Sequence, residues 1–192
     1  MDFRRVADLL FEVGMLQRTP RTGYRFLGSG QQSVAEHLFR TAVIGYALAK
    51  LHGRVDTARV TMMCLMHDLP ESRTGDQNYV YKKYVKALED RAIVDLTDGL
   101  PFGDELKALL DEFNACSTEE ALLCHDADQI ELMLQLKEER DLGNRYAELW
   151  LRYAMKRLRT EVGRRLAEAI LGRDFCGWWF DEEEEDWWVK GR

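Results

Sequence analysis

The stretch Leu65-Met-His-Asp-Leu-Pro-Glu71 puts a histidine and an aspartate side by side at the end of an apolar segment. Apolar residues spaced three and four apart precede it, which predicts a helix from about residue 56 to residue 68. Pro70 disfavours helical backbone in the residue before it, so this helix should stop near Leu69. Because an unpaired buried histidine or aspartate costs free energy, the His67-Asp68 doublet needs a partner, and a shared divalent cation supplies one.

Two other segments carry the same kinds of side chain on predicted helices. Ser33-Val-Ala-Glu-His37 has the spacing of a capping box, which predicts a helix running to about Leu51 with the histidine in its second turn. Ser117-Thr-Glu-Glu opens a long helix that carries Asp128 about one-third of the way along. The sequence therefore offers candidate metal ligands on three separate helices.

Two imidazoles and two carboxylates form a mixed nitrogen and oxygen donor set, which suits first-row divalent ions better than magnesium. A cation held by four protein ligands with open positions is suited to hydrolysis of phosphate esters. Each segment also has a structural interpretation by itself: His37 as a satisfied buried histidine, His67-Asp68 as a helix-end ion pair, and Asp128 as a local cap.

The rest of the chain has helical spacing almost throughout and lacks strand-like alternation bounded by hairpin turns, which predicts an all-α fold. We expect a first helix at residues 2–15, one or two helices at 79–114 interrupted around Gly99-Leu-Pro-Phe-Gly103, and more helix at 145–171. A single compact helical domain should occupy residues 1–175, with the metal site among its core helices. Residues 176–192 form an acidic tail rich in tryptophan.

Composition narrows the function classes. The 192 residues are 46% apolar, enough for one substantial core, and the net charge of −7 argues against extended nucleic acid as a partner. Apolar runs fall short of the roughly 20 residues that span a bilayer, so we expect no membrane association. The four cysteines are far apart and include no Cys-x-x-Cys pair, which favours a reducing cytoplasm.

Taken in order, the segments resemble the HD phosphohydrolase superfamily, whose motif is a histidine, a His-Asp doublet and a distant aspartate. The resemblance covers about Leu10 to Leu136 and is closest to the branch that holds the bacterial 5'-deoxynucleotidases and related small HD-domain proteins. The matching motifs are Ser33-Val-Ala-Glu-His37, His67-Asp68-Leu-Pro-Glu71, Thr74-Gly75-Asp76 and Ala127-Asp128. The resemblance implies one divalent ion (manganese, cobalt, iron, nickel, zinc or magnesium), and its ligands would be His37, His67, Asp68 and Asp128.

The resemblance also implies roles for acidic and basic residues. Glu71 would hold or deprotonate the attacking water, and Asp76 would serve the leaving nucleoside oxygen if it were protonated. The loop at residues 17–32 carries three arginines, and Arg18 matches the family's phosphate-binding arginine best, with Arg21 as a competitor.

One departure bears on sugar choice. Thr19 stands where the best-known deoxynucleotidases have tryptophan, so the resemblance leaves preference for deoxyribose open, and Tyr24 or Phe26 is a candidate aromatic wall. A second doublet, His125-Asp126, falls where the family pattern requires no ligand, and we expect it to be structural or to support the site.

The predicted function is a metal-dependent phosphomonoesterase that acts on a small phosphorylated substrate, a (deoxy)nucleoside 5'-monophosphate. One alternative is a related phosphohydrolase acting on nucleoside triphosphates or alarmones. The other is a non-catalytic helical module that binds metal. The amphipathic helices after Arg145 are a candidate interface for a homodimer.

Overall fold

The computed structural model describes residues 3–180, 183 and 185–191, and these residues form α-helices without a β-strand. The predicted all-α fold is therefore confirmed. The helices are α1 Phe3–Val13, α2 Tyr24–Leu27, α3 Val34–His52, α4 Thr57–Met66, α5 Glu71–Thr74, α6 Glu89–Thr97, α7 Gly103–Ala115, α8 Glu119–Asp141, α9 Ala147–Met155, α10 Glu161–Leu171 and α11 Glu185–Lys190. Short 3-10 turns lie at Gly14–Gln17 and Tyr81–Lys83.

Helix α3 begins where the capping box predicts. The Ser33 hydroxyl accepts a hydrogen bond from the Glu36 N–H at 3.2 Å, and the Ser33 N–H donates to Glu36 Oε2 at 2.6 Å. Two of the backbone donors that a helix N-terminus leaves unpaired are satisfied in this way. The helix ends at His52, and the capping residue Gly53 has a positive φ of 77°, which suits glycine.

Helix α8 is the centre of the main core and packs against α3, α4, α9 and α10. Helices α3 and α4 approach each other closely at Gly45, where an added Cβ would lie 2.4 Å from Cys64 Sγ. This approach brings the ring of His37, on α3, to 5.6 Å from the ring of His67, at the end of α4. The core therefore determines the distance between the two imidazoles.

Several predicted helix bounds differ from those observed. The first helix gives way to a 3-10 turn after Val13, and its predicted start at residue 2 lies outside the described residues. The predicted helix at 145–171 is two helices, because Asp126 of α8 accepts hydrogen bonds from the N–H groups of Arg159 and Thr160. Thr160 then caps α10 by accepting a hydrogen bond from the Gly163 N–H.

The C-terminal segment carries α11 and a group of contacting aromatic rings formed by Trp179, Phe180 and Trp188. Three residues of its acidic run, at 181, 182 and 184, lie outside the described residues, and the predicted domain boundary at residue 175 stays a prediction. Within the described part of the chain, every helix is too short or too polar to cross a lipid bilayer.

Candidate metal centre and cavity

The four predicted ligands lie together. One ligand atom each from His37, His67 and Asp128 falls within 4.8 Å of the other two. The fourth candidate, Asp68, approaches both imidazoles, because its Oδ2 lies 3.3 Å from His67 Nε2 and 3.6 Å from His37 Nε2. The end of α4, the second turn of α3 and the middle of α8 thus converge on one point.

His67 has a ring nitrogen suited to a metal ion. Its Nδ1 donates a hydrogen bond to the Cys64 carbonyl at 2.9 Å, which leaves Nε2 as the nitrogen with a free lone pair. That Nε2 is buried and makes no hydrogen bond within the described structure. A buried nitrogen without a donor fits a divalent cation, and the neighbouring carboxylates supply the oxygen ligands that such an ion accepts.

The orientation of His37 depends on Glu131, a residue that the sequence analysis missed. His37 is completely buried, and its Nδ1 donates to Glu131 Oε2 at 2.6 Å. Glu131 is also completely buried and accepts hydrogen bonds from Gln32 Nε2 and Arg40 Nε. A carboxylate behind a histidine fixes the tautomer and turns Nε2 towards the ion. The available signal was the position of Glu131 one helical turn after Asp128.

Charges around the ligands set their protonation. Burial and Arg21 lower the pKa of His37, but hydrogen bonds to Asp128 and Glu131 outweigh them and raise it to about 9. Burial raises the pKa of Asp128, but the hydrogen bond and charge of His37 bring it well below its usual range. An ion bound at His37 Nε2 must therefore displace a proton.

The two candidate phosphate-binding arginines differ in position. Arg21 points into the cluster, with Nη1 3.3 Å from Asp76 Oδ1 and 3.4 Å from Asp68 Oδ2, and Nη2 3.9 Å from Asp128 Oδ1. Burial lowers the pKa of Arg21, but these carboxylates outweigh it and raise the pKa. Arg18 is exposed and does not line the cavity beside the cluster.

Glu71 and Asp76 both face this cavity but differ in their contacts. Glu71 Oε2 is buried without a hydrogen-bond partner in the described structure, and burial, with Asp68 and Asp76 nearby, raises the pKa of Glu71 to about 10. Asp76 Oδ2 accepts two hydrogen bonds from Thr22, from its N–H and its hydroxyl, each at 2.6 Å. The raised pKa favours the protonated form of Glu71, whereas Asp76 is held in place by Thr22.

Three members of the cluster, His67, Asp68 and Asp128, line a cavity of about 720 Å³, a size typical of small-molecule sites. Tyr24 and Phe26 both line it, so the loop does supply aromatic rings to the wall. Thr19 does not line the cavity, and its hydroxyl donates to the Met15 carbonyl at 3.0 Å.

The second His-Asp doublet, His125-Asp126, makes contacts that differ from those of His67-Asp68. His125 Nε2 donates to the Phe113 carbonyl at 2.9 Å, and the two rings stack with centroids 4.1 Å apart. Asp126 is completely buried and accepts hydrogen bonds from Arg159 and Thr160. An added Cβ at Gly163 would lie 2.3 Å from Asp126 Oδ2, so only glycine permits this approach.

An all-helical core that gathers two histidines and two aspartates beside a cavity is typical of a helical metal-dependent hydrolase. The chain belongs to the HD-domain family, whose model matches residues 13–170. The predicted membership is confirmed.

Similar proteins agree with this membership. The chain is 36% identical to a 5'-deoxynucleotidase from Dictyostelium discoideum over 137 residues, 65% of this chain and 72% of that protein. It is 34% identical to a 5'-deoxynucleotidase from Enterobacter sp. strain 638 over 128 residues, 59% of this chain and 63% of that protein. A protein from Magnetospirillum magnetotacticum described as a predicted metal-dependent phosphohydrolase has the same fold, with a TM-score of 0.69, 22% identity, and coverage of 88% of this chain and 90% of that one.

Proposed function

We propose that this protein is a metal-dependent phosphomonoesterase that releases phosphate from (deoxy)nucleoside 5'-monophosphates. The observation that carries the proposal is the buried His67 Nε2, which makes no hydrogen bond in the described structure and lies with His37 and Asp128 beside a ligand-sized cavity. The 5'-deoxynucleotidase names of its relatives support the substrate class.

The proposed ligands of one divalent ion are His37, His67, Asp68 and Asp128. Such an ion would supply Lewis-acid stabilisation of the phosphoryl charge and would make a coordinated water more acidic. The donor set favours manganese, cobalt, iron, nickel or zinc over magnesium.

Arg21 is the proposed phosphate ligand, in preference to Arg18. Its guanidinium lies among Asp68, Asp76 and Asp128, so a phosphate that reaches the cluster meets a cation there. The planar guanidinium suits paired hydrogen bonds to two phosphate oxygens. Asp76 and Thr22 hold this part of the loop in position through their hydrogen bonds.

Glu71 is the proposed proton-transfer group. Glu71 Oε2 lies in the cavity without a hydrogen-bond partner among the described residues, and burial raises the pKa of Glu71, so its carboxyl is a suitable proton donor to the 5'-oxygen of the leaving nucleoside. Asp76, which accepts hydrogen bonds from Thr22 and pairs with Arg21, is assigned the role of orienting Arg21. Glu71 therefore takes the leaving-group role that the family resemblance implied for Asp76, and Asp76 becomes a positioning residue.

The function is tested by phosphate release from ribo- and deoxyribonucleoside 5'-monophosphates and triphosphates, with manganese or cobalt added. We expect release from monophosphates. Thr19 does not line the cavity and so predicts no preference between ribose and deoxyribose. Comparing ribo- and deoxyribonucleotides within the panel measures that preference. Release from triphosphates alone would replace the proposal with a triphosphohydrolase. Stoichiometric metal binding without release from any substrate would identify a non-catalytic module.

The role of Glu71 is tested by comparing Glu71→Gln with the wild type on a nucleotide and on p-nitrophenyl phosphate, whose leaving group needs no proton. The variant should keep its metal and lose about 100-fold or more in kcat on the nucleotide, since general acid catalysis contributes about 10²- to 10⁴-fold. On p-nitrophenyl phosphate the loss should be much smaller. Equal losses on both substrates would contradict the role of Glu71 as the acid.

We also propose a cytoplasmic homodimer. Exposed apolar side chains support an interface on the segment after residue 141, where Leu142, Tyr146 and Tyr153 are each more than half exposed. Sedimentation at micromolar concentration should give the mass of two chains, and a monomer would overturn the dimer.

A further inference from the structure

Two chemically different kinds of side chain line the cavity. The charged and metal-ligating groups include His67, Asp68, Asp128, Glu71 and Arg21. The aromatic and apolar side chains include Phe26, Tyr79, Leu132 and Trp150. A ligand that uses both kinds of side chain has a phosphate and a flat, weakly polar group.

Tyr79 and Arg157 form a stacked pair in the wall of the cavity. The Arg157 Cζ lies over the Tyr79 ring, 4.1 Å from its centroid, and both side chains line the cavity. Tyr79 is 57% exposed, so the arginine covers only part of the ring. A tyrosine held flat by a guanidinium is a suitable platform for another planar group.

Arg157 is also connected to the candidate metal centre. Its Nη1 donates to Gln129 Oε1 at 3.2 Å, and Gln129 Nε2 donates to Asp128 Oδ2 at 2.9 Å. Only one amide group and two hydrogen bonds therefore separate the guanidinium from a candidate ligand. The stacked pair lies at a short, defined distance from the place where the phosphate would bind.

The segment that carries Tyr79 is anchored on both sides of this residue. Asn78 Nδ2 donates to Thr22 Oγ1 at 2.8 Å, and Asn78 Oδ1 accepts from the Val80 and Tyr81 N–H groups. The Tyr81 ring contacts Phe26 edge-on, with centroids 5.8 Å apart. These contacts hold the Tyr79 backbone at the cavity and reduce the ordering needed on binding.

We propose that Tyr79, backed by Arg157, binds the base of the nucleotide by stacking and thereby selects nucleotides over sugar phosphates. The inference rests on the proposed nucleotide-binding function of the same site and names the residues that select the substrate. Base stacking on an aromatic side chain contributes about tenfold to a hundredfold in affinity and accepts every base. The site should therefore discriminate strongly for a base and weakly between bases.

The test compares deoxyadenosine 5'-monophosphate with 2-deoxyribose 5-phosphate, which lacks the base, in the metal-loaded full-length protein. Tyr79→Ala should raise KM about tenfold or more for the nucleotide and leave KM for the sugar phosphate within about twofold. Tyr79→Phe, which keeps the ring, should restore the wild-type KM. Tyr46→Ala is a matched control, because Tyr46 is also about half exposed, at 51%, and has a cation, Lys50, 5.5 Å from its ring centroid, but does not line the cavity.

Equilibrium binding separates this inference from the proposed function. Calorimetry on Glu71→Gln, in which turnover should be suppressed, measures the dissociation constants of the same two compounds with and without Tyr79→Ala. Tighter binding of the nucleotide that is lost with Tyr79 supports the inference, even if the wild type hydrolyses neither compound. Equal affinities, no binding of either compound, or equal effects of Tyr79→Ala on both would overturn it.

Discussion

His67-Asp68 and His125-Asp126 are the same dipeptide in two different settings. His67 follows the last turn of α4, where its Nδ1 donates to a backbone carbonyl and its Nε2 stays without a hydrogen bond among the described residues. His125 lies inside α8, donates from Nε2 to the Phe113 carbonyl and stacks on the Phe113 ring. The two histidines therefore present different nitrogens to their surroundings.

The aspartates differ in the same way. Asp68 approaches two imidazoles and an arginine, all side chains of the cavity region, whereas Asp126 accepts hydrogen bonds mainly from backbone N–H groups that start α10. A His-Asp doublet is therefore a candidate metal site only where a ring nitrogen is left unsatisfied. Satisfied polar groups in a core serve structure.

The largest expected effect comes from removing each histidine in turn. His67→Ala should lower the amount of bound metal, because a proposed ligand is removed. Phosphate release should fall by more than the roughly 100-fold that follows loss of a residue hydrogen-bonded to a metal ligand. His125→Ala should keep the metal and lose less than tenfold in kcat. Metal analysis and phosphate release check both, and equal losses would remove the distinction between the doublets.

The next effect concerns stability. Asp126→Ala should lower the free energy of unfolding by about 2 to 4 kcal/mol, because the partly buried N–H groups of Arg159 and Thr160 and the Thr160 hydroxyl lose their common acceptor. Asp56→Ala is the control: Asp56 is exposed and caps α4 with one bond to the Arg59 N–H, which is worth about 1 kcal/mol. Urea unfolding measures both. If Asp126→Ala costs no more than Asp56→Ala, Asp126 does not have the structural role assigned to it.

A smaller effect is expected at Glu131, which hydrogen-bonds the proposed ligand His37 and is not itself a proposed ligand. Glu131→Gln should weaken metal binding about 10- to 100-fold, since the neutral amide holds His37 less firmly than the carboxylate. Glu138→Gln is a matched control on the same helix, because Glu138 also pairs with Arg40 and is not a partner of His37. Competition with a chelating dye gives both affinities. Unchanged affinity in Glu131→Gln would show that His37 needs no such support.

The smallest effect is a pH dependence of the second doublet. Burial lowers the pKa of His125, and the hydrogen bond to Phe113 only partly offsets it, so the folded protein favours the neutral ring. Stability from this group is present above the unfolded pKa of about 6.5 and is lost as pH falls below it. His125→Gln should therefore show a smaller decrease in Tm between pH 8 and pH 5.5 than the wild type. If the decrease in Tm is the same in His125→Gln and the wild type, groups other than His125 cause it.

Much of the fold follows from local signals. The capping box at Ser33 and Glu36 marks the start of α3, and Pro70 marks the end of the helix before it. These signals depend on residues a few positions apart, so one sequence suffices to detect them. The convergence of the four proposed ligands was predictable only through the family pattern, since spacing along a chain does not show which helices meet.

Long-range partners are the part that sequence could not supply. Arg21 rather than Arg18 reaches the cluster because the loop is held by hydrogen bonds from the Arg21 N–H to the Gln32 carbonyl and from the Val34 N–H to the Thr19 carbonyl. The break between α9 and α10 likewise depends on Asp126, which is 33 residues before Arg159. Such contacts between distant segments override local helix propensity.

The bonds from Asp126 to Arg159 and Thr160 also bear on how the domain can be shortened or transplanted. Every proposed metal ligand precedes residue 129, so a fragment ending soon afterwards would contain the whole set. That fragment would leave the Asp126 carboxylate without the donors that it has on Arg159 and Thr160. The smallest portable unit of this site therefore extends through α10, far past its last ligand.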